Sequence, residues 1–285
     1  MENHKVQYRG GFADRNGYNK VNIQMQYDDL DIRTRNRILS VFNVYFEALN
    51  QKSHGSKQII VLLNGIKLHV YGEAINNYDL RYADSNVLSD IKSTILSDSF
   101  SDVFSLLEYI CEHIYKFGLQ GIYESVNEVF EKEFVGYRFI DKMVVPITDK
   151  NEIEEINDTL KINNNGITTH IEKSLSFLSD IENPDYENSV KESIMAVEAM
   201  CNYINGSKCT LGEALKKLES NGIIIHKALK EAFNKLYGYT SDADGIRHAS
   251  GEFNNTTTFA EAKFMLVSSS AFINYLKECT SKYKK

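Results

Sequence analysis

A chain of 285 residues is long enough for one large domain or two of ordinary size. Its 42% hydrophobic and 25% charged content are globular values, and 16 Gly with only 2 Pro permit long uninterrupted helices. The net charge of −7 divides as −6 over residues 1–166 and −1 over 167–285, which excludes the broad basic surface that coats nucleic acid through counterion release.

Other classes fall on patterning. The longest apolar runs, such as Ile59 to Leu63, are far short of the roughly 20 residues a bilayer span needs, so no membrane contact is expected. The start, Met1-Glu2-Asn3-His4-Lys5, lacks the apolar block of a signal peptide, and a cytoplasmic location is the expectation. Cys111, Cys201, Cys209 and Cys279 are scattered, with no Cys-x-x-Cys pair and no His in ligand spacing. Free buried thiols, with no metal and no cofactor, are expected. The chain has no P-loop, no Gly-x-Gly-x-x-Gly turn and no His-Glu-x-x-His helix.

In chain order, Leu30 to Leu49 shows helical periodicity, opened by Asp28, Asp29 and Asp31 and carrying Arg33, Arg35 and Arg37. Those arginines read as a solvated face on an acid-started helix, with an RNA or partner contact as the alternative. Asn76 to Ser89 is polar and loop-like. Val103 to Phe117 and Ile122 to Phe134 are helical in period. Gly136 to Ile140 and Met143 to Ile147 flank Asp141-Lys142, which predicts a short β-hairpin. A helix then starts near Asp149, with Glu152 three residues on, and Asn163-Asn164-Asn165-Gly166 reads as a linker.

The remainder reads as a helical bundle of about 120 residues, a normal domain size. Its first helix is expected over about Thr169 to Asp180. Asn183 is the expected cap of the next, with Pro184 at its first position, an apolar stripe through Val190, Ile194, Val197, Cys201 and Ile204, and a stop at Asn205-Gly206. Thr210 to Glu213 has capping-box spacing and opens a helix ended by Asn221-Gly222. Another runs from about His226, a capping or surface residue, to Tyr237. Thr258 to Glu261 is a second capping box, before a long helix apolar over most of its circumference. Such a helix should be buried by its own bundle or by a partner chain. The expected fold is mostly α: a helical domain over 1–135, a hairpin and linker over 136–166, and a helical bundle over 167–285.

Between the last two predicted helices, Asp242, Asp244, Arg247 and His248 place two acids, a guanidinium and an imidazole within seven residues. An imidazole moves protons near neutral pH and a guanidinium holds a phosphate in a fork of donors. That set suits RNA phosphodiester chemistry, or nucleotide binding without chemistry, at a local site. Glu198, four residues after Ile194 and close to the apolar stripe, needs a cationic partner, and Arg247 is the candidate.

Phe12-Ala13-Asp14-Arg15-Asn16-Gly17-Tyr18, then Ile23-Gln24 and Leu30 through Arg37, resemble the start of an AbiJ-type N-terminal domain of bacterial abortive-infection proteins. Gly136-Tyr137-Arg138-Phe139 through Thr148 resemble the junction of the same proteins. Asn183 to Tyr186, Lys191 to Ala199 and the block Lys235 to Ala249 resemble their C-terminal half, which is similar to HEPN domains. The resemblance spans nearly the whole chain and is weaker between Lys52 and Ser101. It implies antiphage defence, a trigger of phage origin, a homodimer or higher homo-oligomer, and a HEPN bundle acting as a metal-independent endoribonuclease.

In that chemistry His248 takes a proton from the 2′-hydroxyl or donates one to the leaving 5′-oxygen, and Arg247 stabilises the phosphorane. Asp242 or Asp244 fixes the His tautomer or holds Arg247. HEPN ribonucleases carry their Arg and His several residues apart, whereas Arg247 and His248 are neighbours, pointing roughly 100° apart on a helix. Two other readings therefore stand. One is a HEPN scaffold that binds nucleotide, RNA or protein without cutting. The other is a structural cluster in which an Asp caps a helix, Arg247 pairs with Glu198 and His248 is an interface residue.

Overall fold

The computed structural model describes residues 12–16, 18, 25–52, 54–75, 85–180, 183–220, 223, 225–241 and 257–283. The protein is mostly α and divides into two compact units, Met1–Pro146 and Ile147–Lys285.

The first unit holds α1 (Phe12–Arg15), α2 (Ile32–Asn50), α3 (Gly55–His69), α4 (Ser85–Ser97), α5 (Phe100–Lys116) and α6 (Ile122–Lys132). The antiparallel hairpin β1 (Arg138–Ile140) and β2 (Met143–Val145) follows, pairing Arg138 with Val145 and Ile140 with Met143. Asp141 turns it with a φ of 55°. Helix α5 is central because its apolar residues occupy two adjacent stripes: Val103, Leu106, Leu107, Ile110, Cys111 and Ile114 are all buried. Aromatic rings fill the space around it, with Phe104 at 4.9 Å from Tyr137 and 5.6 Å from Phe130.

Two parts of this unit differ from expectation. Gly55 to His69 forms a helix that the sequence pattern did not mark, and Ser85 to Ser89 begins α4 rather than continuing a polar loop. In α4 the buried Val87, Ile91 and Ile95 recur every four residues, so a sparse apolar stripe outweighs the polar composition. The remaining loop positions, 76–84, lie outside the described residues.

The second unit contains α7 (Lys150–Leu160), α8 (Asn165–Ser179), α9 (Tyr186–Asn205), α10 (Leu211–Ser220), α11 (Lys227–Ser241) and α12 (Phe259–Tyr283). Asp149 caps α7 by accepting the N–H groups of Asn151 and Glu152. The polar run at 163–166 is a helix start: Asn164 accepts from Gly166 and Ile167, so α8 begins four residues earlier than its periodicity suggested. Helix α9 begins later than expected, because Asp185 rather than Asn183 is its cap, accepting from Asn188 at 3.0 Å. Its end is as the sequence predicts, at Asn205 with Gly206 left-handed at φ 66°.

Helices α8 and α9 are antiparallel neighbours, with Ser174 meeting Ser189 and Ser193 while His170 meets Glu192. Helix α12 packs on α9 and on α7. Its capping box is complete: Glu261 accepts from the Thr258 N–H at 2.7 Å and donates its own N–H to the Thr258 hydroxyl. Lys263 binds Glu152, and Thr159 donates to the Ser270 carbonyl, so α7 and α12 run in the same direction.

Candidate functional site

Asp242, Asp244, Arg247 and His248 lie outside the described residues, which resume at Thr257 after α11 ends at Ser241. The framework on either side is described. His226 caps α11, its Nδ1 accepting from the Ala228 N–H at 3.3 Å. Phe233 of α11 stacks on Phe272 of α12 with ring centroids 3.5 Å apart, so the two helices that bracket the block are clamped together.

Glu198 sits half-buried on α9 and makes no side-chain hydrogen bond or ion pair with another described residue. Its charge adds to the cost of ionising the neighbouring Cys201, whose thiol burial pushes up to about 12. The expected stripe is buried at Val190, Ile194, Val197 and Cys201, while its last member, Ile204, is half-buried at the helix end.

Sequence pattern missed the polar seam between α8 and α9. The Ser174 hydroxyl lies 2.8 Å from that of Ser193 and 3.0 Å from that of Ser189, all three buried, and donates to the Ser189 carbonyl. One turn along, His170 Nδ1 lies 2.6 Å from a Glu192 carboxylate oxygen. The one available signal was His170 four residues before Ser174, on the same helical face.

The arginines of α2 divide: Arg33 and Arg37 keep 39% and 41% of their side-chain surface exposed, while Arg35 is buried. Arg35 is 6% exposed and points inward, binding the carbonyls of Leu30 and Ile95 and the carboxylate of Asp29. Arg33 and Arg37, one turn apart, both reach Glu133, whose carboxylate is fully buried, at 3.2 and 2.8 Å. Gln26 closes the same corner, donating to the Glu133 carbonyl at 2.6 Å and accepting from the Asp31 N–H at 2.7 Å. Arg35 is thus an internal fastener, and Arg33 and Arg37 fasten a buried carboxylate from a partly solvated face.

The profile of a family described as AbiJ N-terminal domain 4 matches residues 10–161. The chain belongs to this family. The AbiJ N-terminal match runs from α1 through α7 and so includes the Glu133 corner and the hairpin. It supports the abortive-infection resemblance for the chain. Residues 162–285, with Glu198 and the Asp242 to His248 block, lie beyond it. Comparison with curated proteins and with solved structures found no match.

Among the described residues no helix is long and apolar enough to cross a membrane.

Proposed function

We propose that the protein acts in antiphage defence by abortive infection, with residues 167–285 forming a HEPN-like bundle that cuts RNA without a metal ion. The observation that carries this reading is the AbiJ N-terminal match over more than half of the chain. The HEPN-like part draws support from the antiparallel α8–α9 pair with α12 alongside, and from the chemistry of the block that follows α11. Arg247 holds the phosphate and His248 moves the proton, with Asp242, Asp244 or Glu198 orienting them. The N-terminal domain senses a phage-derived trigger. Met195, Tyr203 and Phe264, at 47%, 57% and 56% exposure, offer apolar surface for assembly into a homodimer.

The adjacency of Arg247 and His248 favours a second reading, a HEPN scaffold that binds RNA, nucleotide or a protein without cutting it. One experiment separates the two. Total RNA is incubated with the protein in EDTA, and phage plating is measured in cells carrying wild type or His248→Ala at equal expression. Cleavage that falls by about 10² to 10⁴ in the variant, with protection lost, supports the nuclease. Protection retained in His248→Ala, with RNA bound but intact, supports the scaffold.

A further inference from the structure

The first unit contains a cavity of about 490 Å³ between the end of α3, one face of α5 and the hairpin turn. That volume suits a small ligand or one large side chain with its neighbours. Its contents separate it from an ordinary solvated crevice. Glu108 and Glu112, one turn apart on α5, both line it. Glu108 is half-buried and accepts the Val144 N–H through one oxygen at 2.6 Å, while its other oxygen has no partner among the described residues. Burial raises its pKa, as expected for a carboxylate held partly away from water.

An aromatic wall stands beside that carboxylate. The Tyr109 ring stacks on His113 at 4.1 Å and lies 5.9 Å from His69, which also lines the cavity. Tyr109 sits in space that a side chain would take: a Cβ on Gly65 would fall 1.9 Å from its hydroxyl oxygen. A glycine inside a helix costs roughly 1 kcal/mol relative to alanine, and here it makes room for this ring. His69, Tyr109 and His113 come from two helices and carry no shared sequence motif.

The charge of the surroundings decides what fits. Lys142 also lines the cavity and interacts with Glu112, which is bound as well by Lys116 at 2.9 Å. Val70 and Ser105 also line a second cavity of about 520 Å³, so the two adjoin, and the second adds Glu73, Asp90, Asp98 and Asp102. A phosphate or carboxylate ligand is repelled. A compact ammonium is strongly hydrated and has no plane to lay on a ring. A guanidinium is planar, weakly hydrated, stacks on aromatic faces and donates parallel N–H bonds to a carboxylate.

We infer that this cavity is a pocket for an arginine side chain of a basic peptide segment, with Tyr109 and His69 stacking the guanidinium, Glu108 accepting its N–H groups and the adjoining acidic cavity receiving flanking cations. The site is independent of the RNA chemistry proposed for the second unit.

The test uses the full chain and a fluorescein-labelled Gly/Lys peptide with one central Arg, followed by anisotropy at about 0.15 M salt, where exposed charge pairs are screened. Two twin peptides replace the Arg with Lys or with uncharged citrulline. The Arg peptide is expected to bind saturably, with the Lys twin several-fold weaker and the citrulline twin at least about tenfold weaker. Glu108→Gln, which keeps an acceptor for Val144, and Gly65→Ala, which denies Tyr109 its seat while favouring the helix, should each weaken the Arg peptide by about tenfold. Lys227→Ala, in the second unit, should change nothing. Equal binding of the three peptides, wild-type affinity in both pocket variants, or no saturable binding overturns the proposal. Free arginine that binds as tightly as the peptide overturns the peptide assignment and makes the pocket an amino-acid site.

Discussion

The two units solve the same problem, burying helix faces, with different materials. The first uses rings: Phe42, Phe104, Phe130, Tyr137 and Phe139 are all buried, and most of them touch another ring. The second brings helices together over small polar side chains, with Ser174, Ser189 and Ser193 sealed between α8 and α9. Bulk fills the space where α5 and α6 meet the hairpin segment, with Phe104 beside Tyr137 and Phe130 beside Phe139. Serines let two helices approach closely while each hydroxyl finds a carbonyl or another hydroxyl. The first unit should therefore be most sensitive to lost volume and the second to lost hydrogen bonds.

The largest expected effect is at Phe130, fully buried against Phe104 and Phe139. Phe130→Ala should cost about 3–5 kcal/mol, measured by urea denaturation. Each unit also buries one thiol, Cys111 in the first and Cys201 in the second, and burial raises the pKa of both. In Phe130→Ala, alkylation should therefore reach Cys111 before Cys201. Simultaneous labelling would show that the contrast between the units does not extend to their opening.

Ser174→Ala comes next, at about 1–2 kcal/mol, because it strips a shared partner from two buried hydroxyls. A loss equal to that of Phe130→Ala would mean that the serine seam, not volume, dominates the molecule.

The turn of the hairpin sets a smaller expectation. Asp141 combines a positive φ of 55° with a carboxyl whose pKa burial raises. A raised carboxyl favours the folded state at low pH, and that contribution is lost as pH rises through its folded pKa. Asp141→Gly should relieve the left-handed backbone and remove that pH dependence, adding up to about 1 kcal/mol at neutral pH by urea denaturation, because glycine's freer unfolded chain offsets part of the relief. The smallest effect is at Tyr123, whose buried hydroxyl has no partner among the described residues. Tyr123→Phe should leave stability unchanged or raise it by up to about 1 kcal/mol, read from the thermal midpoint.

Much of the second unit was legible because its signals are local. Thr258 with Glu261 and Asn205 with Gly206 each act within one helical turn, and the α9 stripe repeats at steps of three or four residues. The first unit was less legible. Helices α3 and α4 lack comparably clear cap signals and declare themselves only through the core they join. The ion pairs of Arg33 and Arg37 could not be read from the sequence because Glu133, their shared partner, is about a hundred residues away. Of the sequence-predicted site, Glu198 is placed on α9, while Asp242, Asp244, Arg247 and His248 lie outside the described residues.

Composition, periodicity and capping spacing by themselves determined a mostly helical chain, a hairpin turned at Asp141-Lys142, and several helix ends to within a residue or two. These depend on backbone preferences and on neighbours three or four positions apart. Only the tertiary structure decided that Arg35 turns inward, that His170 meets Glu192, and that Gly65 makes room for Tyr109 beside Glu108. Those arrangements join residues from separate helices, and their energy depends on burial and distance, which the order of residues along a chain does not state.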